Sequence, residues 1–167
     1  MLTAANAQSF WQLRLEALER DPRAFGESAE EHRATSLEVI AQRLGTRPNG
    51  SFVLGAFCDG ELIGTIGFSR DNRLKRRHKG RVWGVYVSDR HRARGVGHQL
   101  LTELIRLLRL EAGLEQVILT VGQHQTAAKR LYASLGFKVF AQERRALKIG
   151  DSYVDEDYMA LDLECQP

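Results

Sequence analysis

The succession of patterned segments in this chain predicts an α/β or α+β fold built on a mixed, twisted sheet. Three observations carry that expectation. Helical periodicity fills the chain up to Leu44, an Asp59-Gly60 pair joins two apolar runs as a hairpin turn would, and the remainder alternates strand, helix, strand, helix before two final strands.

The first helix is expected between Asn6 and Arg20, where Phe10, Trp11, Leu13, Leu15 and Leu18 fall at mixed helical spacing and Asp21-Pro22 stops the pattern. Residues 27–44 read as one broken helix or two short ones. Ser36 is placed to cap the segment carrying Leu37, Val39, Ile40 and Leu44, with Gly45 closing it. Arg47-Pro-Asn-Gly50 is a turn, and residues 52–57 and 62–68 are strands. A basic loop over 70–80 leads to a strand over 82–87. The clearest helix follows, since Leu100, Leu101, Leu104, Ile105, Leu107 and Leu108 form one apolar stripe that Gly113 terminates. Residues 117–121 form a strand, 126–135 a helix with Gly136 as its C′ residue, 137–142 a strand, and 153–163 a last strand after a turn at Gly150-Asp151.

Length and composition bound the remaining choices. A chain of 167 residues with 43% hydrophobic and 27% charged residues suits one domain over 1–167 with a sizeable core. Apolar runs fall far short of a membrane span, and Asn6, Gln8 and Arg14 interrupt any leader-like start, so a cytoplasmic location is expected. Cys58 and Cys165 lack metal-ligand or redox spacing and read as two free thiols, and no metal site is expected. The net charge of +3 favours an anionic ligand without arguing for nucleic acid.

Arg92-Ala-Arg-Gly95-Val-Gly97 lies between an apolar strand and a helix. Backbone N–H groups at such a helix start have no intrahelical acceptor and sit at the positive end of the helix dipole, so they suit a phosphate or pyrophosphate. Gly95 and Gly97 let the backbone approach a ligand, and Arg92 and Arg94 supply charge. Gly-x-x-x-x-Gly-Lys-[Ser/Thr] is absent, and the spacing is not Gly-x-Gly-x-x-Gly, which removes support from P-loop and dinucleotide readings.

The loop resembles the Arg/Gln-x-x-Gly-x-Gly/Ala acetyl-CoA loop of the GCN5-related N-acetyltransferases, the GNAT family. Downstream, Gln125-Thr-Ala-Ala128-Lys-Arg-Leu-Tyr132-Ala-Ser-Leu-Gly136-Phe137 is similar to that family's Asn-x-x-Ala-x-x-x-Tyr-x-x-x-Gly-Phe signature, with Gln125 replacing Asn. The resemblance covers roughly residues 50–163, and Leu13-Arg-Leu-Glu-Ala-Leu18 followed by Asp21-Pro22-Arg-Ala-Phe25-Gly26 is similar to one branch of the family.

The resemblance implies a sheet splayed between its two central parallel strands, 82–87 and 117–121, with a bulge at Gly84 and the arm of acetyl-CoA in the gap. Cofactor contacts then fall on Val85, Tyr86, Val87, Arg92, Ala93, Arg94, Gly95, Val96, Gly97, His98, Gln125, Ala128 and Tyr132, and the oxyanion meets an N–H near Val87. Tyr132 is implied as general acid to the leaving thiol, a phenol near the thiol in acidity. The central strand carries no carboxylate to act as base. Glu31, with Glu27 and Glu30 beside it, is one candidate; Asp155, Glu156 and Asp157 form another cluster, and His32 and His78 are further candidate proton acceptors. Each of these also reads as a solvated polar group.

The implied activity is direct transfer of acetyl to a primary amine on a small molecule or peptide, by a monomer or homodimer without metal or membrane partner. A non-catalytic acyl-CoA-binding sensor of the same fold stays open, favoured by Gln125 and the missing strand carboxylate and disfavoured by Tyr132 and the complete loop. The seven Lys and Arg of residues 70–81 fit a solvated hairpin loop, contact with the cofactor phosphates or an acidic substrate, or an RNA contact.

Overall fold

The computed structural model describes residues 1–46 and 50–163. The turn expected at 47–50, apart from Gly50, and Cys165 lie outside the described residues. The elements in chain order are α1 (Ala7–Arg20), α2 (Ala29–Arg33), α3 (Leu37–Thr46), β1 (Phe52–Cys58), β2 (Glu61–Arg70), β3 (Lys79–Val87), α4 (Val96–Leu108), β4 (Gln116–Gly122), α5 (Thr126–Ser134), β5 (Lys138–Ile149) and β6 (Ser152–Asp162). No helix among the described residues is long and apolar enough to cross a membrane.

The six strands form one sheet in the order β1-β2-β3-β4-β6-β5. The β3–β4 pair is parallel and every other pair antiparallel, so the expected mixed α/β sheet is observed. Alternation along the strands supplies both faces. Phe52, Leu54, Ile66, Phe68 and Val82 pack with the leucine stripe of α4 and with Tyr132 of α5, while Val53, Leu62 and Tyr86 pack with Leu13, Ala17, Ile40 and Leu44 of α1 and α3.

Several boundaries differ from the sequence reading for identifiable reasons. The 27–44 segment is two helices, and Ser28 and Glu31 form a reciprocal capping box at the start of α2. Gly45 falls inside α3 instead of closing it. β3 begins at Lys79, because Lys79, Gly80 and Arg81 pair with Gln116, Val117 and Ile118, and charged residues leave no apolar periodicity to announce a strand. β5 continues to Ile149 as an edge strand whose first eight residues are exposed, with irregular register after Val139 and Glu143.

The helix α5 ends in a Schellman motif. The N–H of Phe137 donates to the Tyr132 carbonyl at 3.1 Å and that of Gly136 to the Ala133 carbonyl at 3.1 Å, Gly136 having φ +95°. The Phe137 ring packs against Tyr132 with centroids 6.1 Å apart. The Tyr-x-x-x-Gly-Phe spacing is thus a helix stop that fixes where the tyrosine sits.

Candidate active site

Pairing between β3 and β4 stops at Arg81 and Ile118. The cause is local. On β2, Thr65 pairs with Tyr86 and Gly67 with Trp83, so Ile66 faces two residues of β3, and the extra one is accommodated by Gly84 at φ +60°. This bulge bends β3 away from β4 and opens a cleft of about 310 Å³. Its walls are Arg81, Val82, Trp83, Gly84 and Val85 of β3, Leu119 and Thr120 of β4, and Ala128 and Tyr132 of α5 with Gln125 before it; Arg14 of α1, Ala24, Phe25 and Gly26 after it, Leu147 of β5 and Glu156 of β6 complete it.

The loop at the end of β3 presents the start of α4. Ala93 has φ +58° and Gly95, the N-cap, φ +80° with no side-chain cap, and no acidic residue lies in the first helical turn. The Gly95 carbonyl accepts from Gln99 N at 3.0 Å, leaving the amides of Val96, Gly97 and His98 at the helix mouth without an intrahelical acceptor. A side chain built on Gly97 would rest 3.4 Å from Leu131 and 3.8 Å from Val87, ordinary contact, so packing does not demand glycine there. These features fit a bound pyrophosphate.

Arg92 is tied into the protein on three sides. Its Nε donates to the Val87 carbonyl at 3.0 Å, and its two remaining nitrogens pair with Asp21 at 2.6 Å and Asp89 at 2.9 Å. Three of its five N–H groups fix the loop to β3 and to the end of α1. Arg94 is exposed. Tyr86 faces the α1 side, where its hydroxyl donates to Glu16 at 2.8 Å, away from the cleft.

Tyr132 is buried on the cleft wall, and desolvation pushes its hydroxyl up to about 12, so it is a fully protonated donor at neutral pH but further from a thiol in acidity than an ordinary phenol. Gln125 is the N-cap of α5, uses no side-chain atom to cap it, and lines the cleft.

The carboxylate candidates separate clearly. Glu31 is exposed and accepts from Ser28 N at 2.8 Å in the capping box, which holds its carboxyl below the usual range; it does not line the cleft. Asp155 accepts from Arg145 N at 2.7 Å, and buried Asp157 pairs with Lys129 and accepts from Gln123 at 3.1 Å, so both hold structure together. Glu156 alone of its cluster lines the cleft. Burial, and then the neighbouring Glu143, push its carboxyl up, against smaller opposing effects of the Thr120 hydroxyl and Arg81. His32 is buried with Nε2 against the Trp11 carbonyl at 3.1 Å and Nδ1 against Glu27 at 3.3 Å, a brace for Glu27.

The basic segment shortens to the connection between Arg70 and Lys79. It is tied by Arg70 to the carbonyls of Arg77 and Ala112 at 2.7 and 2.8 Å, and lies at the opposite end of β3 from the α4 loop.

Arg14 was invisible as a site residue in the sequence reading, although a signal exists. It occupies the buried stripe of α1 with Phe10, Leu13, Ala17 and Leu18, where a charged residue is out of place.

A sequence model of the Acetyltransferase (GNAT) family matches residues 10–137. The chain belongs to that family. It is 32% identical over 120 residues to the L-amino acid N-acetyltransferase AaaT of Escherichia coli, covering 71% of this chain and 72% of the relative. In fold, this GNAT protein matches a GNAT-family acetyltransferase of Streptococcus pneumoniae at TM-score 0.86 and 22% identity, covering 98% of this chain and 96% of that one. It matches a phosphinothricin acetyltransferase of Sinorhizobium meliloti, solved with acetyl-CoA, at TM-score 0.84 and 23% identity, covering 97% and 85%. As a GNAT member it is an N-acetyltransferase with acetyl-CoA as acetyl donor.

Gly95→Val tests the loop. A β-branched residue at φ +80° is strained by about 1–3 kcal/mol, and relief of that strain moves the amides of the first turn. The expected result is acetyl-CoA binding weaker by about 10- to 100-fold by calorimetry, in a protein with an unchanged circular dichroism spectrum. Unchanged affinity in the folded variant would remove the loop from the donor site.

Proposed function

We propose that residues 1–167 act as one cytoplasmic acetyltransferase domain that moves acetyl directly from acetyl-CoA to the primary amine of a small acceptor of amino-acid size. One observation carries the reading: the cleft opened by the Gly84 bulge gathers Tyr132, Gln125 and Glu156 beside the strand that ends in the α4 loop. The relative's action on L-amino acids supports the size of the acceptor.

Each residue then has a distinct task. Amides of Val96, Gly97 and His98 hold the pyrophosphate, and Gln125 and Ala128 flank the arm of the donor. The donor supplies an activated acetyl thioester. Glu156 accepts the first proton from the acceptor's ammonium and passes it to solvent, so that the neutral amine forms the N–C bond as the C–S bond breaks. The second amine proton ends on sulfur, and Tyr132 donates a hydrogen bond there while charge develops. No enzyme-bound acetyl is required in this scheme.

The test is a panel of amino acids, aliphatic amines, polyamines and peptides with acetyl-CoA, read by free-thiol release and product mass. Amine-dependent thiol release with intersecting initial-velocity patterns is expected. Tight acetyl-CoA binding without release for any amine would overturn the reading.

A further inference from the structure

Two buried side-chain nitrogens among the described residues have no hydrogen-bond partner, Arg14 Nη1 and His91 Nδ1. Arg14 is the informative one because it lines the cleft. Its orientation is fixed on two sides. Nε and Nη2 donate to Glu27 Oε2 at 3.0 and 2.9 Å, and the guanidinium lies over the Phe25 ring, 4.5 Å from its centroid. Glu27 is braced in turn by His32, whose ring stacks on Trp11.

Nη1 therefore projects away from Glu27. It lies 3.8 Å from where a side chain on Gly84 would begin, beside the bulge that opens the cleft. A guanidinium has only donors, and a buried cationic donor left without an acceptor is unfavourable, so the position suits an incoming anionic oxygen. Planar N–H pairs match carboxylate oxygens in particular.

Glu156, of opposite charge, lines the same cleft from β6. An α-amino acid carries the complementary pair on one carbon, a carboxylate for Arg14 and an ammonium for Glu156. Arg14 and Trp83 also border a second pocket of about 450 Å³ whose apolar lining includes Phe10, Ile40, Val53 and Phe68. A side chain leaving the α-carbon beside Arg14 has this pocket to enter.

We infer that Arg14 anchors the acceptor's carboxylate, and that the acceptor is a free α-amino acid with an apolar side chain. This rests on the acetyltransferase reading above and names the substrate class of the same site.

The experiment compares L-phenylalanine, L-leucine and L-methionine with phenethylamine, L-phenylalaninamide, L-glutamate and L-lysine on the unmodified protein, then on Arg14→Lys and Arg14→Gln. Loss of a charge-assisted hydrogen bond predicts kcat/KM for phenylalanine about 10- to 100-fold above that for phenethylamine or the amide. In Arg14→Gln that ratio collapses toward one through KM for the amino acid, with Arg14→Lys intermediate and KM for acetyl-CoA unchanged. Calorimetry of phenylalanine binding in the presence of CoA follows the same order. Equal use of phenylalanine and phenethylamine by the unmodified protein would overturn the inference while leaving the acetyltransferase reading intact, as would a preference for glutamate or lysine. A rise in KM for acetyl-CoA in Arg14→Gln would assign Nη1 to the donor instead. Silence of these compounds would overturn the inference, while thiol release with the polyamines or peptides of the broader panel would keep the acetyltransferase reading. If Arg14→Gln does not fold, the comparison on the unmodified protein and Arg14→Lys decides.

Discussion

Replacing Glu156 by Gln is expected to lower kcat by about 100- to 10,000-fold, the range for loss of a positioned general base, with little change in acetyl-CoA affinity. The pH profile separates a base from a bystander. Glu156 works only when ionised, and burial together with Glu143 raises its carboxyl above the ordinary value, so activity should fall as pH drops through that shifted position. In Glu156→Gln the acid limb disappears along with the rate. Stability moves the other way. A carboxyl raised in the folded state opposes folding once it ionises there, so the penalty is absent below the ordinary carboxylate range and develops as pH rises through the shifted value. The Gln variant should therefore be no less stable than the parent in urea titrations at neutral pH. A rate within threefold of the parent, with the acid limb retained, would return the base to solvent.

Tyr132→Phe is the second large effect. The ring keeps its contact with Phe137 and its place at the end of α5, so only the hydroxyl is lost. Burial sharpens what that hydroxyl can do. Desolvation raises it to about 12, so it stays protonated at neutral pH, and its contribution is a dry hydrogen bond to developing negative charge. Removing one such donor predicts a kcat loss of about 100- to 1,000-fold at unchanged acetyl-CoA affinity. A loss below threefold in single-turnover measurements would mean that water serves the sulfur unaided.

The features legible in the sequence were those written locally. The Gly95-x-Gly97 turn into α4 and the Gly136-Phe137 stop of α5 are each set within a few consecutive residues, and the succession of strands along the chain follows from period and turn residues. Gly84 as a bulge depended on a family resemblance, and the register of β2 against β3 agrees with it. What escaped involves partners far along the chain. Nothing near Arg92 announces its partner Asp21, which lies 71 residues earlier. Choosing Glu156 over Glu31, Asp155 and Asp157 required knowing which carboxylates were already engaged by a capping box, a backbone amide or a lysine. The early start of β3 and the length of β5 were hidden for another reason, since pairing at polar or exposed positions leaves no apolar rhythm.

The short seam between β3 and β4 has a mechanical consequence. Three residue pairs, Lys79 to Arg81 with Gln116 to Ile118, join two half-sheets, β1-β2-β3 and β4-β6-β5. One half ends in the loop that opens α4 and carries the Gly84 bulge, with Arg14 packed beside it. The other bears Glu156, and α5 with Tyr132 is strung between its strands β4 and β5. The residues proposed for the reaction are thus divided between two leaves joined by that seam. Any occupant of the gap touches both leaves, so filling one substrate's place sets the spacing that the other one meets.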